Sequence, residues 1–334
     1  MRFTQSEKME IIRMVEESSL SVKQTLLEMD VSRSSFYEWY RRYQDEGYNG
    51  LASNQKDSHR VWNAIPEWEK ERVVEVAREY PEKSCREIAW LMTDKRETFI
   101  SESSVYRILK AYDLITSPAF TVVSAKDRFE HPTTRTNELW QTDFTYLTVV
   151  QWGWYYLSTV MDDFSRYIIA WQLCRTMKAE DVKNTLDMAI AKTGVEHVQV
   201  VQRPRLLSDN GACFISHELK KYLETHEIRH VRTKVYHPMT QGKIERYHRS
   251  MKNLILLDNY YAPAELAERI REWVDYYNHQ RYHEAIDNMV PADKYYGRDR
   301  GILKKREKVR KKTMKMRREL SRTAMLEPLP NGVS

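Results

Sequence analysis

Cysteine is scarce. Three residues in 334, Cys85, Cys174 and Cys213, are too few, too far apart and odd in number for a disulfide framework or a CxxC zinc module. A reducing, cytoplasmic setting follows as an expectation. Long hydrophobic runs are also missing. Nothing approaches the ~18 consecutive apolar residues of a membrane span, and Met1 to Met14 is charged rather than signal-like, so no membrane role is expected. No solenoid-type repeat is visible. Neither sign of charge dominates, since 54 basic against 48 acidic residues leave a formal +6. The total hides one imbalance: Lys304 to Arg318 holds ten Lys or Arg and a single acid, Glu307. Such a run reads as a solvated tail that can also neutralise phosphates.

What is present begins with helical periodicity. Met9, Ile12 and Val15 share one face between Thr4 and Tyr43, and Val22, Thr25, Leu26 and Met29 share another. After a break at Asp30-Val31, Ser32 is a candidate N-cap for a helix in which Phe36, Trp39 and Tyr40 pack inward. That is helix-turn-helix grammar, and it leaves Arg33, Ser34, Ser35, Arg41 and Arg42 for a DNA groove. Gly47, Asn49, Gly50, Ser53 and Asn54 then break the periodicity, which predicts a linker. The pattern returns from Pro66 to Tyr112, where Ser101 would cap a helix with Val105, Ile108 and Leu109 inward and Ser103, Ser104, Arg107 and Lys110 outward. Two tandem units of this kind suit sequence-specific binding, and two ordinary structural bundles are the plain alternative.

Beyond a second linker marked by Ser117-Pro118 and His131-Pro132 the composition changes. Thr142–Val150, Trp154–Met161 and Arg166–Leu173 are rich in Tyr, Val, Ile, Thr and Trp and predict an antiparallel meander. An amphipathic helix over Ala179–Thr193, a strand at Arg205–Ser208, a helix at Ser216–Thr225, a strand at Ile228–Thr233 and a helix from Thr240 to Asn259 follow. The order β-β-β-α-β-α-β-α predicts an α/β layer with mixed strand directions. Pro263–His279 and Pro291–Tyr296 add helical pieces.

Three carboxylates stand out in this layer. Asp143 lies within Trp140-Gln-Thr-Asp-Phe-Thr-Tyr-Leu147, in a β-type run where Asp is depleted; Asp209 ends Leu206-Leu-Ser-Asp-Asn-Gly211; Glu245 follows His237-Pro-Met-Thr-Gln-Gly-Lys-Ile244 and opens a helix. Each has an ordinary reading: a buried acid paired with an Arg, a turn residue, an exposed helix acid. Together they read as one metal site. Phosphodiester chemistry with two divalent ions needs hard oxygen ligands converging over about 4 Å. The 65 residues between the first pair and the 35 between the second can return the chain to the same sheet edge each time. Asp162 and Asp163 fall in a predicted turn and suit capping. On the last helix Gln241, Glu245, His248, Arg249 and Lys252 share a stripe, where Arg249 and Lys252, with the adjoining Lys243, are candidate phosphate contacts.

These three segments, at these spacings, resemble the core of the Asp-Asp-Glu recombinases. They are most similar to bacterial insertion-sequence transposases with a retroviral-integrase-type core, of the insertion sequence three group or a close relative. Tyr277-Asn-His-Gln-Arg-Tyr-His283 and Val290-Pro-Ala-Asp-Lys-Tyr295 are similar to the segment after the core in that group. The resemblance implies a ribonuclease H-like fold with a mixed five-stranded sheet. It further implies Asp143, Asp209 and Glu245 as ligands of two Mg²⁺ ions, with Mn²⁺ able to substitute. Double-stranded DNA, as terminal inverted repeats and as target, would be the substrate of a homo-oligomeric synaptic complex in the bacterial nucleoid. No His-His-Cys-Cys segment precedes the core, which favours a transposase over a retroviral integrase, and no long leucine heptad run supplies an obvious means of assembly.

The organisation expected is therefore a helix-turn-helix domain at residues 1–45, a linker at 46–65, a second helix-turn-helix domain at 66–114 and a linker at 115–132. A ribonuclease H-like core at 133–260, a helical extension at 261–300 and a basic tail at 301–334 complete it. Two other functions stay open, a DNA-binding regulator or domesticated inactive transposase, and a plain ribonuclease H-like nuclease.

Overall fold

The computed structural model describes residues 3–18, 20–52, 62–115, 133–197, 203–232 and 241–326. The chain divides into two compact units, Met1–Ala64 with Arg317–Ser334, and Ile65–Met316.

In the first unit Thr4 and Glu7 form a capping box that starts α1 (Gln5–Glu17). The helices α2 (Val22–Glu28) and α3 (Arg33–Glu46) follow. Ser32 caps α3 as expected, its Oγ accepting from Ser35 N at 3.2 Å. Ile11, Ile12, Leu26, Val31, Phe36 and Leu51 form the core. Of the linker expected at 46–65, residues 53–61 lie outside the described residues, and its first part is ordered. A 3₁₀ turn at Gly47–Leu51 folds back so that Leu51 is buried and its carbonyl accepts from Lys8 Nζ at 2.9 Å. Gly50 is required there, because a Cβ would lie 2.3 Å from the Arg42 carbonyl oxygen.

The second unit opens with α4 (Glu67–Glu79), α5 (Cys85–Asp94) and α6 (Glu102–Ala111), packed through Val73, Ile88, Met92, Val105, Ile108 and Leu109. A five-stranded sheet then forms from β1 (Leu139–Val149), β2 (Gly153–Asp162), β3 (Ile168–Cys174), β4 (Arg205–Ser208) and β5 (His230–Arg232). Its spatial order is β3-β2-β1-β4-β5, with β1 antiparallel to β2, β2 antiparallel to β3, and β4 and β5 parallel to β1 in sense. This is the sheet of mixed strand directions that the element order predicts, with the five strands that the resemblance implies. Period-two alternation along β1 decides which residue meets which layer. Trp140 and half-buried Phe144 face α7 (Ala179–Thr193) and α8 (His217–Thr225). Leu147 and Val149 face α9 (Gly242–Ile255) and α10 (Pro263–His279).

A short α11 (Pro291–Tyr295) leads to α12 (Asp299–Leu326), within which the division between the units falls. The basic tail expected from residue 301 is thus helical through Leu326, and its first part is docked. Arg306 is buried, donates to both Asp94 carboxylate oxygens at 2.7 and 2.8 Å, and lies over the Trp90 ring. Thr313 Oγ1 accepts from Phe99 N at 3.0 Å. The reason is local: Val309 and Thr313 are buried, and Arg306 finds a carboxylate partner that a solvated run lacks. No described helix is long and apolar enough to cross a membrane.

Candidate active site

The site is built at the edge where β1 and β4 run parallel. Gln141 registers with Leu207, so two residues on, Asp143 comes opposite Asp209, on the sheet face that carries α9. A nearby thiol senses both acids: burial first, then the charge of Asp209 and more weakly that of Asp143, push Cys213 up to about 11. Asp143 Oδ1 accepts from Phe144 N at 2.8 Å, and Asp209 Oδ1 accepts from Gly211 N at 2.9 Å in the turn that ends β4.

The start of α9 is tied to this edge by buried polar groups. Lys243 Nζ donates to Asp163 Oδ2 at 2.6 Å and to the Asp163 carbonyl at 3.2 Å, with both side chains about 95% excluded from solvent. Gln141 Nε2 donates to Asp163 Oδ1 at 2.7 Å, while Gln141 Oε1 accepts from Ile244 N at 3.2 Å. Gln241 Nε2 donates to the Thr142 carbonyl at 3.2 Å. Burial lowers the Lys243 ammonium from its ordinary value, and the Asp163 charge opposes that. Lys243, expected at a DNA surface, is therefore an internal clamp: its first helical turn points into the sheet edge instead of outward.

Glu245 is exposed on α9, one turn before His248. His248 lies against Asp143, with Nδ1 3.4 Å from Asp143 Oδ2 and Nε2 3.2 Å from Thr159 Oγ1. The structure thus brings Asp143 and Asp209 to one edge and leaves Glu245 exposed on α9, one turn before the histidine that meets Asp143. Among the described residues no three His, Cys, Asp or Glu side chains gather closely enough to hold a metal ion. The donor chemistry of the pair, two carboxylates on a partly open edge, fits a hard divalent cation. The segment His237 to Thr240 lies outside the described residues. Of the expected phosphate contacts, Arg249 is exposed, and Lys252 is half-buried with its ammonium 3.8 Å from the Tyr146 ring centroid and within reach of the Asp143 charge.

Asp162, one residue before the clamp acid, is the turn cap the sequence suggests. Its Oδ2 accepts from Ser165 N at 2.8 Å and Ser165 Oγ at 2.5 Å, and Oδ1 from Asn137 N at 2.8 Å. Burial outweighs those bonds and raises its carboxyl to about 6. The folded chain therefore holds a proton that the unfolded chain releases near pH 4, so this group's contribution to stability falls as pH rises from about 4 to about 6. Asp162→Asn should flatten that fall, as read from urea midpoints at pH 4.5 and pH 7.

The two helical units present matching helices. Arg33, Ser34 and Arg41 are exposed on α3, Ser35 is half-buried, and Arg42 is paired with Glu38 at 2.5 Å. On α6, Ser103, Arg107 and Lys110 are exposed, with Arg107 donating to the Ser103 carbonyl at 3.1 Å, and Ser104 is half-buried. Sequence reasoning passed over Tyr37 and Tyr106, both exposed at the fifth position after the capping serine. The shared pattern Ser-x-Ser-Ser-apolar-Tyr, at Ser32 and at Ser101, was the available signal.

Residues 133–238 and 226–291 match the families described as Integrase core domain, and residues 4–52 and 35–109 match those described as Homeodomain-like domain. The chain thus carries an integrase-type core behind homeodomain-like helical units. Among characterised proteins it is similar to the transposase for transposon Tn552 of Staphylococcus aureus, 23% identical over 253 residues, covering 68% of this chain and 51% of that one. It is also similar to the transposase InsF for insertion sequence IS3A of Escherichia coli (strain K12), 31% identical over 96 residues, 28% of this chain and 30% of that one. These matches span about half or less of each relative's length. Among solved structures, the HTLV-2 integrase catalytic core domain in complex with magnesium (dimeric form) aligns with a TM-score of 0.38 at 21% identity, over 48% of this chain and 97% of that one.

Proposed function

We propose that the protein is a DNA transposase that binds the ends of a mobile element through its helical units and cuts and joins DNA at the Asp143–Asp209 edge. The single observation that carries the reading is the placement of Asp209, in the turn that ends β4, opposite Asp143 on the neighbouring parallel strand β1, beneath a helix that bears Glu245. Asp143, Asp209 and Glu245 are the proposed ligands of two Mg²⁺ ions, with Mn²⁺ able to replace them. Bound there, the ions supply charge stabilisation at the attacking and leaving oxygens of a phosphodiester. His248 holds Asp143 from the helix side, and Arg249 and Lys252 are set to hold phosphates on either side of the scissile one. In the first step a water oxygen forms the new bond to phosphorus as the P–O3′ bond breaks, which frees a 3′-hydroxyl. In the second, that hydroxyl attacks a target phosphate in line and displaces the target's own 3′-oxygen, so no covalent protein intermediate forms. Exposed residues of α3 and α6, Arg33, Ser34, Arg41, Ser103, Arg107 and Lys110, are the proposed DNA contacts. A synaptic homo-oligomer is part of the proposal.

The exposed position of Glu245 supports a second reading, a regulator that binds the same DNA without cutting it. Mixing the full-length protein with DNA carrying the sequences that flank its gene, in Mg²⁺, and sequencing the products separates the two. Element ends joined to new target sites are expected; specific binding with intact DNA supports the regulator.

A further inference from the structure

Tyr146 and Trp154 stand in solvent, 57% and 55% exposed, at the outer end of the hairpin made by β1 and β2. Their rings meet edge to face at 5.4 Å. Large aromatic side chains left open in this way mark a surface that something covers. Two further observations say what. The first is charge: the Lys252 ammonium sits 3.8 Å from the Tyr146 ring centroid, and beyond Trp154 the Arg175 guanidinium lies over exposed Trp152 at 5.8 Å while donating to its carbonyl at 3.1 Å. Aromatic faces interleaved with cations are the combination that binds single-stranded nucleic acid, the rings taking bases and the cations phosphates. An apolar face meant for a second copy of the chain gains nothing from those charges.

The second observation is position. β4 ends at Ser208, so along β1 the stretch beyond Asp143 has a described strand partner only in β2. Phe144, packed against Phe214 with centroids 6.0 Å apart, and then Tyr146 follow Asp143 along that edge. Lys252 belongs to the helix on Asp143's own face yet reaches the Tyr146 ring on the other, so it links Asp143 to the aromatic rings. Alternate residues of a strand are about 6.7 Å apart, roughly twice the 3.4 Å rise of stacked duplex bases. Rings at that spacing suit bases that have come out of the stack, not a paired helix.

We propose that Phe144, Tyr146 and Trp154, with Lys252, form a stacking track for unpaired nucleotides of the DNA strand that lies at the Asp143–Asp209 edge. This rests on the phosphoryl-transfer reading of that edge. The test uses the full-length protein without divalent metal and a fluorescein-labelled oligo-dT, read by anisotropy. Tyr146→Ala with Trp154→Ala should weaken oligo-dT binding by about tenfold, while Tyr146→Phe with Trp154→Phe, which keeps both rings, should stay within about twofold of the parent. Binding to a fully paired duplex should not change in either. Equal oligo-dT affinity for the alanine and phenylalanine variants overturns the proposal. So does a change of sedimenting mass in the alanine variant without loss of oligo-dT binding, which makes the patch a self-association surface. Because neither metal nor cutting enters the measurement, it succeeds or fails independently of the strand-joining assay.

Discussion

Asp143→Asn or Asp209→Asn should leave DNA binding intact and reduce cutting and joining by at least about a thousandfold. An amide in place of a carboxylate removes a unit of negative charge from a hard-cation site, and a loss of about 4 kcal/mol of transition-state stabilisation corresponds to that factor. The assay is Mg²⁺- or Mn²⁺-dependent cleavage of a labelled end fragment beside a gel-shift of the same fragment. A thermal readout separates ligation from a merely structural role. An Asn oxygen can still accept from Phe144 N or Gly211 N as the carboxylate does, so metal-free Asn variants should melt close to the parent. Added Mg²⁺ should raise the melting temperature of the parent only, since a ligand stabilises the state that binds it. Glu245→Gln should follow the same pattern in cleavage. Near-normal joining by any of the three variants would remove that residue from the proposed ligand set.

Lys243→Met is the second large effect, and it is one of architecture. The Lys243–Asp163 pair is nearly closed to solvent, and removing one member leaves a buried charge facing a methyl group. A cost of about 3–5 kcal/mol is expected from such a break. Asp163→Asn added to Lys243→Met should recover part of it, because the stranded charge is gone while an oxygen remains to accept from Gln141. Urea midpoints of the two single variants, the double variant and the parent give the coupling energy; simple additivity would contradict a clamp. Cleavage should fall further than stability alone accounts for, since Lys243 sits two residues before Glu245 and holds Asp163, which in turn accepts from Gln141 on the strand that carries Asp143.

Much of the core was legible because its elements follow single rules. Ala179–Thr193 and Pro263–His279 carry an uninterrupted 3.6-residue apolar face, and both helices end where the sequence predicts. Arg205–Ser208 is a short apolar strand closed by a turn, and it too is found at those residues. That Asp143 and Asp209 share an edge was legible from the spacing, because a right-handed return from β1 brings the chain back beside it, and Asp209 then follows the end of β4 opposite mid-strand Asp143. What stayed hidden depended on partners remote in sequence. Lys243 looks like a surface cation until Asp163, 80 residues earlier, is seen beneath it. His248 shares a stripe with Glu245, yet only the packing of α9 decides which of them touches Asp143. The turn after α3 stayed hidden because Gly47 and Gly50 read as breaks, whereas they let the chain turn back and bury Leu51.

The docked start of α12 changes how its charges count. Arg306 is committed to Asp94, and Arg310 lies over the Phe99 ring, so neither is a loosely hydrated cation gathering anions from solution. A helix that spends cations on its own protein has fewer of them to displace condensed counterions from a duplex. Each cation so committed removes about 0.9 from the slope of log affinity against log salt that a freely available arm would give. The ten basic residues between Lys304 and Arg318 are therefore an upper bound on that helix's ionic footprint.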